Sequence, residues 1–389
     1  MVPKNLVILG STGSIGRSCL EVIADRPGRF AVRALAAHSN AELLAEQYRA
    51  LRPPYLCLVD DSRVGELRQL LKGEPVEIVS GEDELVRLAT LDAVDMVVNA
   101  VVGAAGLRAS LETVRMGRML ALANKESLVC GGPLFPPLIQ ETGARILPID
   151  SEHSAIWQLL ACGRESELKR IVITASGGPF RDLPTEKFSE ITVKQALEHP
   201  TWKMGPKITI DSATLVNKGL EVIEAVVLFS VPADKISVVI HPQSVIHSMV
   251  EFIDSSVVAQ LSMPDMKLPI VHALFWPERV RSDYGAVDFE RLPTMTFDKP
   301  DLNRFRALRI AYEVAARGGT APAIYNAANE VAVKAFLESG IKFPEITDII
   351  ENSVDKLNVV SSPGLDDILE ADRKARETAR ELMGKLRCC

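Results

Sequence analysis

Apolar and polar residues follow two different rhythms along this chain. Up to residue 149, short runs rich in Val, Ile, Leu and Ala are separated by stretches in which apolar residues recur every three or four positions. This alternation predicts β-strands joined by amphipathic helices, the pattern of a parallel sheet with crossover connections. The predicted strands are residues 5–10, 31–36, 55–59, 76–79, 94–102, 119–123 and 145–149.

The pattern changes after residue 150. Three apolar runs follow one another with only short turns between them, at residues 236–241, 245–252 and 257–262. Such runs indicate an open sheet in an α+β domain. From residue 302 onward the apolar spacing is helical again, and it predicts four helices that form a small bundle. The four helices are residues 302–316, 322–337, 344–356 and 364–386.

The first chemical motif is GSTGSIG at residues 10–16, directly after the first predicted strand and at the start of a predicted helix. Glycines allow a tight turn and a close approach of the backbone to a pyrophosphate. The amide groups at the helix start then donate hydrogen bonds to that anion. Strand, turn and helix in this order predict a dinucleotide site. The alternative is a glycine-rich turn that only packs tightly.

The second predicted strand ends in the segment AAHSN at residues 36–40. An NAD-dependent protein usually carries an acidic residue here, which binds the ribose 2′-hydroxyl, and this segment has none. A short polar cluster instead donates hydrogen bonds to a 2′-phosphate. The sequence therefore favours NADP over NAD, although no Arg or Lys stands in the segment.

A polar cluster follows the predicted strand at residues 119–123, where open α/β sheets place their ligand crevices. Lys125 is suited to polarise a carbonyl or to neutralise a developing enolate. Asn124 and Glu126 are suited to contact the nicotinamide ribose or to orient the lysine. The alternative is a solvated helix cap.

Asp150 and Glu152 flank Ser151 after the last strand of the first region. If the backbone stays extended, the two carboxylates lie on one side of it and provide oxygen ligands for Mg²⁺ or Mn²⁺. The alternative is a helix N-cap at Asp150 or Ser151 with Glu152 in the first turn. A third carboxylate ligand would favour the metal site.

The helical segment at residues 215–228 supplies such a carboxylate. Asn217, Lys218 and Glu221 are separated by helical spacing and share one face, and apolar residues stand on both sides of them. Buried charges need partners or a metal. Ser212, Asn217 and Lys218 carry donors of the kind that hold a phosphate, which leaves Glu221 to complete the metal site.

Two further segments have the composition of ligand loops. The segment TASGGPF at residues 174–180 offers the Ser176 hydroxyl and glycine backbone amides to a phosphate. The segment HPTWKMGP at residues 199–206 carries Trp202 and Met204 between prolines, which is typical of an apolar lid. The alternatives are an ordinary turn and an anchored surface loop.

Composition excludes several classes of function. A net charge of -7 and the absence of a basic stripe argue against a nucleic-acid partner. No apolar run approaches the roughly 20 residues needed to cross a bilayer, so we expect no membrane insertion. The first residues lack the apolar core and cleavage site of a signal peptide, and we expect a cytoplasmic protein.

These observations predict a division of the 389 residues into four parts. We expect an α/β protein with a Rossmann-like parallel sheet that binds NADPH in residues 1–149. A central α+β catalytic domain with an open sheet, the metal site and the lid loop occupies residues 150–275. Residues 276–301 contain three prolines without sustained periodicity, which is typical of a linker. Residues 302–389 form the C-terminal helical bundle.

The motifs together resemble those of the 1-deoxy-D-xylulose 5-phosphate reductoisomerase family, which belongs to the non-mevalonate isoprenoid pathway. The resemblance spans essentially the whole chain. It depends on residues 10–16, 123–127, 150–154, 175–180, 199–205, 211–221 and 323–330.

The resemblance implies a set of site residues. Cofactor positions are Thr12, Gly13, Ser14, Ile15, Asn124, Glu126 and Gly205, to which the polar segment after the second strand adds Ser39 and Asn40. Substrate positions are Lys125, Ser151, Glu152, Ser176, His199, Trp202, Ser212, Asn217, Lys218 and Glu221. The implied metal ligands are Asp150, Glu152 and Glu221, for Mg²⁺, Mn²⁺ or Co²⁺. Members often carry a basic residue in the 2′-phosphate segment, where this chain has Ser39.

The resemblance also implies an activity and an assembly. We expect an NADPH-dependent rearrangement and reduction of the sugar phosphate 1-deoxy-D-xylulose 5-phosphate, with Lys125 and Glu152 as catalytic residues, in a homodimer. One alternative is a semialdehyde-type NADP dehydrogenase that uses Cys130 as nucleophile. Another is an NADP-binding redox sensor without catalysis.

Overall fold

The computed structural model describes residues 2–202, 204–292 and 294–386. Lys203 of the predicted lid loop and Pro293 of the predicted linker therefore lie outside the described residues. The chain forms two compact units. Unit 1 contains the chain up to Ser127 together with Phe135–Ser154 and Met266–Tyr284, and unit 2 contains Leu128–Leu134, Ala155–Asp265 and the chain from Gly285 onward.

Unit 1 is built on a parallel sheet of seven strands. Its strands are β1 (Lys4–Leu9), β2 (Phe30–Ala37), β3 (Tyr55–Leu58), β4 (Glu77–Ser80), β5 (Met96–Asn99), β6 (Met119–Leu122) and β7 (Arg145–Pro148). Their order in the sheet is β4-β3-β2-β1-β5-β6-β7. β2 and β5 therefore flank β1 on opposite sides, which creates a crevice at the carboxyl end of β1, where such sheets bind ligands.

The helices of unit 1 follow the predicted alternation with its strands. They are α1 (Ser14–Ala24), α2 (Ala41–Leu51), α3 (Asp61–Leu70), α4 (Glu82–Ala89), α5 (Leu107–Arg115), α7 (Phe135–Thr142) and α12 (Lys267–Phe275). In α5, Leu107, Leu111 and Val114 are buried at spacings of four and three residues, which packs one face of the helix toward the core. Two helices cross the boundary between the units along the chain, α6 (Lys125–Gly131) and α8 (Ser151–Leu160).

Unit 2 contains a mixed sheet of four strands. Its strands are β8 (Leu168–Ala175), β9 (Ile236–Ile240), β10 (Ile246–Phe252) and β11 (Val257–Leu261), in the order β11-β10-β8-β9. β10 is antiparallel to both β8 and β11, whereas β8 and β9 are parallel. The chain between β8 and β9 contains α9 (Val193–Ala196), α10 (Pro206–Ala213) and α11 (Val216–Phe229). The three predicted strands of this region are confirmed.

The four predicted C-terminal helices are also confirmed. They are α13 (Arg306–Arg317), α14 (Ala321–Leu337), α15 (Phe343–Lys356) and α16 (Leu365–Leu386). The alanine-rich α14 is buried over most of its length, because small side chains let neighbouring helices approach it closely. The fold class expected from the sequence is therefore correct, while the four-part division of the chain stays a prediction. Within the described residues, no helix is long and apolar enough to cross a membrane.

Candidate active site

The glycine turn after β1 forms the start of the predicted dinucleotide site. Gly10 has a φ of 84°, and a Cβ there would lie 2.4 Å from the carbonyl oxygen of Ala100. A Cβ at Gly16 would lie 2.3 Å from the carbonyl oxygen of Gly10. Only glycine fits at these two positions, since each obstacle is backbone. The remaining predicted cofactor residues of the segment occupy this turn and the start of α1; they are Thr12, Gly13, Ser14 and Ile15.

This turn fits a pyrophosphate. Gly13 directly precedes α1, and no acidic side chain stands in the first turn of that helix to repel an anion. Gln47 of α2, which was not predicted from the sequence, anchors the turn through two hydrogen bonds to Ser11. Its side-chain amide donates to the carbonyl oxygen of Ser11 at 2.9 Å, and its side-chain oxygen accepts from the Ser11 hydroxyl at 2.7 Å. The signal in the sequence is weak, because a single Gln on a helix is usually exposed.

The predicted 2′-phosphate segment follows β2. The side-chain oxygen of Asn40 accepts from the backbone N–H of Leu43 at 3.0 Å, so Asn40 is the N-cap of α2. Ser39 is half-buried and His38 is exposed. Dinucleotide-binding sheets hold the adenosine ribose at this end of their second strand. Direct contacts of Ser39 and Asn40 with the cofactor stay a prediction.

A buried hydrogen-bond network lies at the carboxyl ends of β5 and β6. Asn99 donates to the carbonyl oxygen of Gly106 at 2.9 Å and to the hydroxyl of Ser110 at 2.7 Å. Asn124 donates to Glu126 at 3.0 Å and accepts from the backbone N–H of Ser127 at 3.1 Å. All of these side chains are buried. The alternative of a solvated helix cap is therefore wrong, and the network holds the start of α6 in one arrangement.

Asn99 and Ser110 are positioning residues that the sequence reasoning missed. Asn99 is the last residue of β5, and its position after an apolar run at a ligand-binding end of the sheet was the available signal. The Ser110 hydroxyl is 3.0 Å from that of Ser127, which links α5 to α6.

Lys125 and Asp150 form an ion pair in unit 1. The Lys125 ammonium donates to a carboxylate oxygen of Asp150 at 2.9 Å, and the lysine is 5% exposed. The other oxygen of Asp150 accepts from the backbone N–H of Glu152 at 3.2 Å and lies 3.2 Å from Nδ1 of His153. Ser151 donates to the carboxylate of Glu152. The pair and the neighbouring Glu152 thus bring a cation and two carboxylates to the carboxyl ends of β6 and β7.

Of the two alternatives for residues 150–152, the helix N-cap is confirmed and the extended backbone is wrong. α8 begins at Ser151, and Asp150 precedes it as the residue whose carboxylate accepts from an amide of the first turn. Helix capping competes with strand extension here, because the free amide groups of a helix start need acceptors. Asp150 therefore lies at a helix cap and is paired with Lys125, and a metal role for its carboxylate stays a prediction.

The polar face predicted for residues 217–221 is confirmed in unit 2. The side-chain amide of Asn217 donates to one carboxylate oxygen of Glu221 at 2.6 Å, and Lys218 donates to the other. Glu221 is 1% exposed and Lys218 is 4% exposed. The free-energy cost of burying this carboxylate is offset by hydrogen bonds from two donors, one of them charged.

His199 connects the predicted lid loop to the predicted phosphate loop within unit 2. Its Nδ1 accepts from the backbone N–H groups of Thr201 at 3.1 Å and Trp202 at 2.9 Å. A nitrogen that accepts carries no proton, so the neutral ring is protonated at Nε2, which lies 3.1 Å from the Ser176 hydroxyl. Burial lowers the pKa of His199 from its ordinary value of 6.5, which favours this neutral form.

The loop of Ser176 packs directly against α10. Gly178 has a φ of 68°, and a Cβ there would lie 2.8 Å from the carbonyl oxygen of Ser212. The backbone two residues after Ser176 therefore contacts the backbone of Ser212. Both serines are predicted phosphate ligands. Gly205, predicted at the cofactor, is the residue before α10. Trp202 is half-buried, with its ring 6.3 Å from that of His247.

The nucleophile required by the semialdehyde dehydrogenase alternative is buried. Cys130 is 1% exposed, and the side-chain amide of Asn326 donates to its sulfur at 3.5 Å. A nucleophilic cysteine needs access to its substrate and a stabilised thiolate. This environment is that of a structural cysteine, which removes the basis for that alternative.

The available donors fit the groups expected from the sequence. Asp150 and Glu152 in unit 1 and Glu221 in unit 2 provide only oxygen ligands, as a hard divalent cation prefers. The turn at Gly10 has no room for a Cβ. A glycine backbone of this kind allows a pyrophosphate to approach closely. Lysine and amide donors next to the carboxylates fit an anionic, oxygen-rich substrate.

The fold and these groups define the class of this protein, which is a dinucleotide-dependent oxidoreductase with a Rossmann-type sheet and a second unit built on a mixed sheet. Three family models match the chain. Residues 6–132 match 1-deoxy-D-xylulose 5-phosphate reductoisomerase, residues 146–229 match its C-terminal domain, and residues 261–378 match the DXP reductoisomerase C-terminal domain. The chain belongs to the 1-deoxy-D-xylulose 5-phosphate reductoisomerase family, as its motifs indicated.

Curated relatives match over nearly the full length. The reductoisomerase of Chlorobium limicola is 49% identical over 381 residues, which cover 98% of this chain and 100% of the relative. That of Gloeobacter violaceus is 50% identical over 382 residues, which cover 98% of this chain and 97% of the relative.

Solved structures of the family have the same fold. The Zymomonas mobilis reductoisomerase in complex with NADPH is 43% identical, with a TM-score of 0.91 and coverage of 98% of this chain and 99% of that chain. A DOX-P reductoisomerase in complex with NADPH, fosmidomycin and magnesium is 41% identical, with a TM-score of 0.95 and coverage of 99% of both chains.

Proposed function

We propose that this chain converts 1-deoxy-D-xylulose 5-phosphate to 2-C-methyl-D-erythritol 4-phosphate, with NADPH as reductant and Mg²⁺, Mn²⁺ or Co²⁺ as metal. Full-length membership in the reductoisomerase family supports this activity. The observation that carries the proposal is the ion pair between the buried Lys125 and the partly buried Asp150, whose charged atoms are 2.9 Å apart. It combines a cation with an oxygen ligand at the edge of the sheet where a nicotinamide ring would lie.

The substrate is a ketose phosphate that must rearrange before it is reduced. A carbon–carbon bond breaks in a retro-aldol sense and a new one forms, which gives a branched aldehyde. This aldehyde then takes up a hydride and a proton. NADPH supplies the hydride when bound, and the divalent cation supplies Lewis acidity toward the substrate's carbonyl and hydroxyl oxygens.

The side chains have separate roles in this proposal. Asp150, Glu152 and Glu221 hold the metal, and the Lys125 ammonium stabilises negative charge that develops on substrate oxygens. Glu152 also assists proton movement. Trp202 covers the substrate and excludes water from the cleaved intermediate.

Phosphate and cofactor binding use the remaining groups. We assign the substrate phosphate to the hydroxyl, amide, imidazole and ammonium donors of Ser176, His199, Ser212, Asn217 and Lys218, and a substrate contact to Ser151. NADPH binds to the glycine turn at residues 12–15, to Ser39 and Asn40, and to Asn124, Glu126 and Gly205. The neutral Nε2–H of His199 supports its assignment, since it donates to oxygen.

The decisive experiment follows NADPH oxidation by absorbance with 1-deoxy-D-xylulose 5-phosphate. The protein is assayed as purified, after EDTA treatment, and after Mg²⁺ or Mn²⁺ is restored. We expect oxidation that EDTA abolishes and metal restores, and no effect of a thiol-alkylating reagent, since Cys130 is buried. Cofactor binding without oxidation under any metal would contradict the proposal and favour the redox sensor.

We also propose that the chain forms a homodimer in the cytoplasm. β11 is an edge strand of its sheet, and Val257 at its start and Ile253 before it are 54% and 65% exposed. Exposed apolar residues at a sheet edge are typical of an association surface. Light scattering should give twice the mass of one chain, and Val257→Lys should lower it. A single-chain mass for the unchanged protein would contradict the homodimer.

A further inference from the structure

The loop after β8 has little regular structure of its own. It runs from Ser176 to the helical turn that begins at Thr185, and both Gly177 and Gly178 have positive φ angles, of 85° and 68°. Such a segment has many accessible conformations. Any non-native conformation would move Ser176. An interaction from outside the loop therefore helps to hold it.

Arg304 provides that interaction from a position more than 120 residues later in the chain. One terminal nitrogen of its guanidinium donates to the carbonyl oxygen of Arg181 at 2.5 Å. The other donates to the carbonyl oxygens of Phe180, at 2.6 Å, and Leu183. Three backbone carbonyl groups of one loop are therefore held by one side chain.

The surroundings of Arg304 suit this role. Its guanidinium lies 5.4 Å from the ring centre of Phe188 and 5.3 Å from that of Phe305, so aromatic rings pack against it. Within the described residues, no carboxylate forms an ion pair with Arg304. Charged donors form stronger hydrogen bonds than neutral ones, and the planar group reaches acceptors that a lysine cannot reach at the same time.

The held loop is connected to the phosphate ligands. Gly178 approaches the backbone of Ser212 so closely that a Cβ would lie 2.8 Å from the Ser212 carbonyl oxygen. The Ser176 hydroxyl is 3.1 Å from Nε2 of His199. A displacement of residues 180–183 would therefore change the spacing of Ser176 from both Ser212 and His199.

We propose that Arg304 is a positioning residue for the substrate phosphate, which acts by holding the carbonyl groups of Phe180, Arg181 and Leu183 and thereby fixes Ser176. It does not touch the substrate. This role rests on the proposed reductoisomerase activity, because only that activity assigns a phosphate to Ser176.

The test compares Arg304→Lys, which keeps the charge, and Arg304→Gln, which keeps a planar donor, with Arg306→Lys as the matched control. Arg306 is two residues away and pairs with Asp348 and Glu351 instead of the loop. We expect both Arg304 variants to raise KM for 1-deoxy-D-xylulose 5-phosphate by about tenfold or more, since a misplaced ligand loses much of its binding contribution. We expect kcat to fall less and NADPH affinity to stay unchanged.

A double-mutant cycle with Ser176→Ala separates positioning from general stability. If Arg304 acts through Ser176, the Arg304→Lys change should raise KM much less in the Ser176→Ala background than in the unchanged protein. Equal increases in both backgrounds would overturn the proposal, as would KM values of both Arg304 variants that match Arg306→Lys. A parallel loss of NADPH affinity would also overturn it. Inactivity of the unchanged protein would instead contradict the reductoisomerase activity itself.

Discussion

The ammonium group of Lys125 lies 2.9 Å from a carboxylate oxygen of Asp150, at the carboxyl ends of the neighbouring strands β6 and β7. Each charge offsets part of the cost of removing the other from water. The pair therefore holds a charged oxygen ligand and a charged donor ready for a substrate whose oxygens become negative during the reaction.

Glu221→Gln should lower turnover by about a thousandfold or more, because the loss of one charged ligand weakens metal binding and with it the supply of the Lewis acid. NADPH affinity should not change. The measurement is steady-state NADPH oxidation together with a direct NADPH binding titration. Glu251→Gln is the matched control, since that carboxylate pairs with Lys169 and Arg170 outside the site. Full activity of the Glu221 variant would remove this residue from the metal site.

Trp202→Ala should raise KM for the substrate by about tenfold, because a truncated lid covers less apolar surface and admits water. Trp202→Phe should restore most of the affinity, since it keeps an aromatic ring in the loop. Kinetic constants for both variants and the NADPH dissociation constant provide the check. If the alanine variant keeps the original KM and kcat, the lid assignment is wrong.

Acidic pH should weaken substrate binding through His199. Burial puts the pKa of this residue below its ordinary value of 6.5, so the neutral ring persists at neutral pH. Protonation places a hydrogen on Nδ1, which then cannot accept from the amides of Thr201 and Trp202. As pH falls below 6.5 and through the lowered pKa, KM should rise and stability should decrease, because the unfolded state binds the proton more readily.

His199→Asn is the matched variant for this pH dependence. Its side-chain oxygen offers an acceptor close to the place of Nδ1 and does not titrate. The profile of log(kcat/KM) between about pH 5 and pH 8 should therefore lose the acidic limb that comes from this residue. An unchanged limb in the asparagine variant would assign the titration to another group.

Ser39→Arg should strengthen the preference for NADPH. A guanidinium at the carboxyl end of β2 is suited to pair with a 2′-phosphate, and such charge-assisted contacts are stronger than that of a hydroxyl. We expect the ratio of kcat/KM for NADPH to that for NADH to rise by about tenfold. The same ratio in Arg33→Ser, which changes an exposed charge within the same strand, serves as the control. A ratio unaffected by the arginine would show that Ser39 lies away from the phosphate.

Local patterns predicted the elements of both units. Seven apolar runs correspond to the seven strands of the parallel sheet, and helical spacing at residues 217–221 put Asn217, Lys218 and Glu221 on one face, as their hydrogen bonds confirm. Both predictions depend on the periods of strand and helix, which neighbouring residues determine. The sequence left the backbone at Asp150 open between an extended conformation and a helix N-cap, because alternation alone does not show where a helix begins.

Other features could not be predicted from neighbouring residues. Arg304 holds carbonyl groups more than 120 positions earlier in the chain, and Asn99 joins Gly106 and Ser110 in a buried network. Nothing in the composition around an arginine or an asparagine specifies which distant partner it will meet. Every residue has a backbone carbonyl group, so the sequence does not show which of them accepts a hydrogen bond from a distant side chain.

The sequence by itself determined the family, the fold class and the residue types of the site, because periodicity and motif spacing are local properties of the chain. The tertiary structure alone decided that Asp150 caps a helix and pairs with Lys125, that the Nδ1 of His199 accepts from the lid loop, and that Arg304 holds the phosphate loop. These contacts depend on which segments pack together, and packing is set by the whole folded chain.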